Sequence, residues 1–300
     1  MKKVAIIGTG NVGAHVASAG ILKNLPVEFL LVDMNQEFET AQVLDLRDTI
    51  LFSSKTKVSG ADFGDKELSQ ADIFVITAGV AQQPGEPRSA LLKRNIKILK
   101  SIKVSLGKLK KTAIVILVTN PVDILTQVAS EIFKLPKGHV FGSGTLLDSA
   151  RLRWRLAEKF DRNVEDVTGW VLGEHGDSEF VAWSTVSESG KFSEQEKQEI
   201  EHSVMREAYV IIEGKGSTYF GIGAALAEIL DAVLSDEKKV FPVSSPLNGE
   251  YEITGMSLGI PCQVGMSGIE KILTADLTIE EKEKLRFSAE QLKIFLSEAQ

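Results

Sequence analysis

The stretch VLGEHGDSEF (171–180) places His175 between Gly173 and Gly176, with Glu174 before it and Asp177 after it. Imidazole titrates near neutrality, so a histidine held in such a turn is a candidate to donate and accept a proton. A turn histidine satisfied by backbone is the plainer reading of these residues alone. The chain has four histidines. His15 falls on a first crossover helix, His202 in a highly charged helix, and His139 where a strand begins. Only His175 is left for chemistry, and it needs partners.

GTLLDSARLRW supplies them. Asp148 and Arg151 are three residues apart and share one face of a predicted helix. An aspartate there can accept a hydrogen bond from the imidazole, set its tautomer and raise its pKa. Arg151 can grip a carboxylate through two parallel N–H bonds, which lysine cannot do. A surface ion pair is the plainer alternative. AGVAQQPGEPRSALLKRN (78–95) adds a loop rich in glycine and proline with Arg88 at its far end, the composition of a lid. VTNPVDIL puts Asn120 at the carboxyl end of a strand, the edge where ligands of open α/β sheets gather.

A second chemistry is written at the amino end. IIGTGNVG spaces Gly8, Gly10 and Gly13 as G-x-G-x-x-G directly after a strand. The first glycine permits the tight turn, the second lets backbone approach a pyrophosphate, and the third allows helix to pack closely on sheet. The free N–H groups of the following helix then face the phosphates. By itself the motif is weak. Asp33 strengthens it, because it ends the next strand 20 residues after Gly13, where a carboxylate accepts from ribose hydroxyls and repels a 2′-phosphate. NAD is therefore expected rather than NADP.

These groups need a scaffold. KVAIIG (3–8), VEFLLVD (27–33), DIFVITAG (72–79), AIVILVT (113–119) and HVFGSG (139–144) read as nearly continuous apolar strands. Such strands fit a parallel sheet covered on both faces, and the intervals are long enough for crossover helices. The expected fold class is α/β, a doubly wound parallel sheet followed by a mixed α+β half. Beyond residue 144 come a strong helix over 145–160 and two short strands around a tight turn, VTGWVLGEH and EFVAWSTV. A helix over 193–214 follows, opened by a Ser193/Glu196 capping box and stopped at Gly214. Its predicted apolar stripe is Ile200, Val204, Ala208 and Ile211. Next come a helix over 217–236, an antiparallel region around KVFPVSS and GMSLGIPCQVG, and a last helix capped by Thr278 and Glu281 with Leu285, Ala289, Leu292 and Leu296 on one face.

Composition limits the partners. A net charge of −7 argues against nucleic acid, and no apolar run approaches the roughly 18 residues of a membrane span. The start MKKVAIIGTG breaks at glycine too early for a signal peptide. The single cysteine, Cys262, excludes an internal disulfide and a cysteine metal cluster, and no metal is expected. A cytoplasmic protein fits these features.

Taken in order, GTGNVG, Asp33, AQQPGEPR, VTNPVDIL, GTLLDSARLRW, GEHGDSEFVAWS and GKGSTYFGIG resemble the L-lactate/malate dehydrogenase family along nearly the whole chain. The resemblance implies an NAD-binding Rossmann domain over 1–143 and a catalytic domain over 144–300. It also implies that His175, Asp148, Arg151 and Arg88 meet around a 2-oxo or 2-hydroxy acid of L configuration. His175 would be the acid/base and Asp148 would orient it. Arg88 would polarise the carbonyl, Arg151 would clamp the carboxylate, and Asn120 would face the reacting oxygen or the nicotinamide. Asn11, Val12, Gly79 and Ser143 would line the cofactor beside the three glycines, Asp33 and Asn120. A homo-oligomer is implied as well, a homotetramer first and a dimer as the alternative.

Gln82 and Thr218 bear on the substrate. Malate enzymes of the family have an arginine where this chain has Gln82. A dianion in a closed site would then lack its counter-charge, at a cost of order ~3–5 kcal/mol. Thr218 matches the residue beside the substrate side chain and narrows the pocket. Pyruvate and L-lactate are the expected pair. Similarity to 2-hydroxyisocaproate dehydrogenases makes a larger 2-oxo acid the competing substrate, although AQQPGEPR lacks their longer lid. Pro87 before Arg88 and Ser89 after it depart from the usual lid sequence. A non-catalytic NAD-binding module would need the glycine loop and Asp33 but not the other four groups together. Arg153 matches an arginine through which bacterial relatives bind fructose 1,6-bisphosphate, but Thr168 replaces their histidine. Weak activation or none is expected.

Overall fold

The computed structural model describes residues 1–51, 55–81 and 86–299. The first half runs β1 (Lys2–Ile7), α1 (Asn11–Leu22), β2 (Val27–Val32), α2 (Gln36–Ile50), β3 (Lys57–Gly60), α3 (Lys66–Ser69), β4 (Ile73–Ile76), α4 (Arg88–Leu106), β5 (Ile114–Leu117), α5 (Val122–Phe133) and β6 (Val140–Gly142). Its strands pair in parallel in the order β3-β2-β1-β4-β5-β6. The order reverses between β1 and β4, so a crevice opens there at the carboxyl edge. Every residue of β4 and β5 is buried, because helices cover both faces. Fully burying each such side chain stabilises the fold by about 1.5–3 kcal/mol.

The second half adds α6 (Leu146–Phe160), β7 (Trp170–Leu172), β8 (Phe180–Ala182), α7 (Glu194–Lys215), α8 (Phe220–Ser235), β9 (Lys239–Asn248), β10 (Thr254–Gly265), β11 (Gly268–Ile272) and α9 (Ile279–Ala299). The antiparallel strands β9, β10 and β11 extend the same sheet, joined to β6 through Gly142 opposite Ser244. The two halves therefore share one sheet, a link that strand patterns do not reveal. Both predicted capping boxes are formed. Glu196 N–H donates to Ser193 Oγ at 3.3 Å, and Glu281 N–H donates to Thr278 Oγ1 at 3.2 Å.

Several boundaries differ from expectation. Helix α7 passes through Gly214 and ends at Lys215, with Gly216 at φ 86° as its left-handed cap. Of its predicted stripe only Val204 is fully buried. Helix α8 starts at Phe220 rather than 217, and only Phe180–Ala182 of EFVAWSTV is strand before a turn. The short strand β3 carries no strong apolar run and was not expected.

Candidate active site

Asp148 lies in the first turn of α6, where the helix dipole favours negative charge. Side chains beside it lock α6 to β7. Thr145 Oγ1 donates to the Val171 carbonyl at 2.6 Å, and Val171 N–H donates to Ser149 Oγ at 2.9 Å. That strand leads into the histidine turn, whose backbone is then fastened residue by residue. Gly173 exchanges both backbone bonds with Gly259 of β10. Glu174 N–H donates to Ser288 Oγ of α9 at 2.7 Å, and His175 N–H donates to Asp123 Oδ2 of α5 at 2.7 Å. Three consecutive amides are held by three elements.

The imidazole is thereby aimed. His175 Nδ1 donates to Asp148 Oδ2 at 2.6 Å, and the side chain keeps 27 % of its surface open. Nε2 has no hydrogen-bond partner among the described residues. The other Asp148 oxygen accepts from Arg151 Nη1 at 2.8 Å. The Asp148 charge raises the His175 pKa to about 10, against the opposing effect of burial. Burial alone would raise Asp148, yet His175 and Arg151 hold its pKa below the usual carboxylate range.

Two buried acids border this pair. Asp123 accepts from Ser244 Oγ at 2.5 Å as well as from His175 N–H, and burial pushes its pKa to about 6. Glu179, 4.0 Å from His175 Nδ1, is raised well above its ordinary value by burial and then by the Asp148 charge. Asp148, His175 and Glu179 bring possible ligand atoms within 4.8 Å of one another. Both Asp148 oxygens are already engaged, and the adjacent Arg151 cation opposes a metal ion.

Arg151 is 7 % exposed and is bonded beyond Asp148. Its Nε donates to Glu207 Oε1 of α7 at 3.1 Å, and Arg155 Nη2 lies 2.7 Å from Glu207 Oε2. Arg88 is the first residue of α4, and its Nη1 donates to Asp177 Oδ2 at 2.6 Å, with Tyr209 Oη donating to Asp177 Oδ1 at 3.0 Å. The guanidinium thus rests on the histidine turn itself, two residues past His175. Gln82 lies outside the described residues. Thr218 lies in the short connection between α7 and α8, half-buried. Arg153 stacks over Trp170 at 5.6 Å, while Thr168 Oγ1 donates to the Thr185 carbonyl.

The residues expected to hold the cofactor lie past the carboxyl ends of the parallel strands. Gly8 has φ +99°, and a Cβ there would meet Ala78 backbone N at 2.6 Å, so the turn demands glycine. A Cβ at Gly13 would strike the Gly8 carbonyl, whereas one at Gly10 would meet nothing within 4 Å. Open space at the second glycine is what a pyrophosphate needs. Asn11 and Val12 open α1, with Asn11 Nδ2 donating to Ser217 Oγ at 3.2 Å. Asp33 follows β2 and accepts from Thr9 N–H at 2.8 Å and Thr9 Oγ1 at 3.0 Å. It borders an open cleft with Met34, Asn35, Asp62 and Phe63. The buried Glu39 carboxylate accepts from Asp33 N–H at 3.3 Å and so fixes the backbone that carries Asp33. Gly79 follows β4 and packs on Thr119. Ser143 follows β6 and is buried, its N–H bonded to the Leu117 carbonyl. Asn120 lies just past β5, its carbonyl accepting from Asn95 Nδ2 at 2.9 Å.

Sequence reasoning missed Asn95, Asp123, Asp177, Glu179 and Glu207. Asp123 had a signal, an acid inside the otherwise apolar helix start VDIL. Glu207 had none, since it sits among many charges on a long helix. His139 and His15 are structural, and His202 is exposed on α7. His139 Nδ1 lies 3.0 Å from the Ala113 carbonyl, and the His15 ring packs on Tyr219 and Phe220.

A glycine turn, a strand-end acid and an imidazole–carboxylate pair on a Rossmann sheet define an NAD-dependent oxidoreductase. Comparison with known proteins narrows the class. The lactate/malate dehydrogenase NAD binding domain matches residues 2–142, and the family's alpha/beta C-terminal domain matches residues 145–300. The chain belongs to the lactate/malate dehydrogenase family. It is 41 % identical to an L-lactate dehydrogenase of Thermoanaerobacter pseudethanolicus over 99 % of both chains. It is 42 % identical to that of Thermoanaerobacterium saccharolyticum over 96 % of both. Among solved structures, a lactate dehydrogenase from a Medee basin deep-sea metagenome library superposes with TM-score 0.94 at 33 % identity, covering 99 % of this chain and 98 % of that one. The minor L-lactate dehydrogenase of Enterococcus mundtii superposes with TM-score 0.91 at 35 % identity, covering 100 % and 98 %.

Proposed function

We propose that this protein is an NAD-dependent L-lactate dehydrogenase that interconverts pyruvate and L-lactate. The observation that carries the reading is the His175–Asp148–Arg151 chain, with bonds of 2.6 and 2.8 Å and Nε2 left to a ligand. NAD, when bound, carries the hydride. The chain's own residues do the rest. His175 holds a proton at Nε2 and gives it to the keto oxygen in reduction, or takes it from the hydroxyl in oxidation. Asp148 stabilises the imidazolium that this requires. Arg151 orients the substrate carboxylate. Arg88, released from Asp177, faces the carbonyl where negative charge develops.

Gly8, Gly10, Asn11, Val12 and Gly13 hold the pyrophosphate, and Asp33 holds the ribose. Gly79, Asn120 and Ser143 line the nicotinamide end. The proposed domains, 1–143 for NAD binding and 144–300 for catalysis, separate the glycine turn and Asp33 from Asp148, Arg151 and His175, with Arg88 contributed to the substrate by the first. Gln82, which brings no positive charge, and Thr218, which matches the residue beside the substrate side chain and narrows the pocket, favour a small, uncharged substrate side chain. NADH oxidation with pyruvate, oxaloacetate and 2-oxoisocaproate tests this choice. Pyruvate is expected to be preferred. Gln82→Arg is expected to raise kcat/KM for oxaloacetate and lower it for pyruvate, a change of ~10²-fold or more in their ratio from pairing one charge. An unchanged ratio would remove Gln82 from substrate selection.

No helix among the described residues is long and apolar enough to cross a membrane. A cytoplasmic homotetramer is the assembly proposed. Phe38, Leu44 and Leu51 on or just after α2, with Val210 and Ile212 on α7, stand exposed as apolar groups that partner subunits can cover. Light scattering is expected to give four times the 32.7 kDa chain mass; a monomer mass would rule the assembly out.

A further inference from the structure

Asp148, Arg151, Glu207 and Arg155 form a row of alternating charge. Arg151 is shared by two acids, and Glu207 is shared by two arginines. On the reading above, a substrate carboxylate must also settle on Arg151. One buried guanidinium would then face three carboxylates, an excess of negative charge in a poorly solvated place. One carboxylate has to give way. Asp148 is 2 % exposed and its second oxygen is bound to His175, so it is committed. Glu207 is not. Its side chain is 29 % exposed, and its other oxygen already rests on Arg155, itself 19 % exposed.

We propose that Glu207 is an internal competitor for the substrate carboxylate on Arg151, released onto Arg155 when a 2-oxo acid binds. In the free protein the Glu207 carboxylate satisfies Arg151 Nε, which keeps a buried cation from standing half-paired. The same contact subtracts from substrate affinity, because the incoming anion gains Arg151 only by displacing an anion already there. Arg155 lowers that cost by giving the displaced group a second cation. Glu207 is a positioning residue in this scheme and touches no reacting atom.

The test rests on the dehydrogenase reading and separates from it. Oxamate, a non-reducible isostere of pyruvate, is titrated into the enzyme–NADH complex by cofactor fluorescence, and steady-state constants are measured in parallel. Glu207→Gln is expected to bind oxamate about 5- to 20-fold more tightly, with KM for pyruvate falling similarly and kcat changing less. Glu207→Ala should agree with it, since both remove the same charge. Arg155→Gln should weaken oxamate severalfold, and the double variant Glu207→Gln with Arg155→Gln should match Glu207→Gln alone. Weaker or unchanged oxamate binding in Glu207→Gln would overturn the proposal, and so would an Arg155 effect that persists without Glu207. Wild-type enzyme that neither reduces pyruvate nor binds oxamate would instead overturn the lactate dehydrogenase reading.

Discussion

Replacing His175 with asparagine is expected to lower kcat for pyruvate reduction by about 10²–10⁴-fold, the usual worth of a positioned general acid. Asparagine keeps an N–H for Asp148 but carries no transferable proton. NADH should bind as before, because the glycine turn and Asp33 do not touch this residue. Retained turnover would remove the histidine from the chemical step. The pH profile gives an independent reading. The Asp148 charge raises the imidazole to about 10 in the ligand-free enzyme. Reduction needs the protonated form, so its kcat/KM should hold through neutrality and fall as pH rises through about 10. Oxidation needs the neutral form and should rise through the same range. Because the folded pKa is raised, the stability contributed by the ion pair is complete below the unfolded histidine pKa near 6.5. It is lost as pH climbs through about 10.

Arg151→Lys is the second large effect. Lysine keeps the positive charge but loses the planar fork, and Asp148 and Glu207 would then compete for one ammonium. Losing a charge-assisted hydrogen bond to a carboxylate costs about 1.5–3 kcal/mol. The expected outcome is a rise of about 10- to 10²-fold in KM for pyruvate, with a smaller fall in kcat and unchanged NADH affinity. Steady-state kinetics with an NADH titration check it. A KM within about threefold of wild type, below 1 kcal/mol, would show that the carboxylate is held elsewhere.

The two predictions draw unequally on sequence. Asp148 and Arg151 could be read as one face because helix periodicity joins residues three apart, and glycines mark the His175 turn, but that the three meet was implied only by the family resemblance. The tautomer was also foreseeable, since a carboxylate can only accept. Fastening of that turn was not. Gly259, Ser288 and Asp123 reach it from three elements distant in sequence, and no local pattern joins them. Glu207 is a similar case, one glutamate among many until α6 and α7 pack together.

Local chemistry in the chain alone pointed to the glycine turn, the strand-end acid Asp33, the parallel sheet and the kind of residues that would do proton transfer. Each of these depends on neighbours within a turn or a strand, where steric and hydrogen-bonding rules act at short range. Folding in three dimensions decided the rest: one sheet serving both halves, Arg88 resting on Asp177, and Arg151 shared between Asp148 and Glu207. Those outcomes depend on which charges are brought together out of water, and only the packing of remote segments sets that distance.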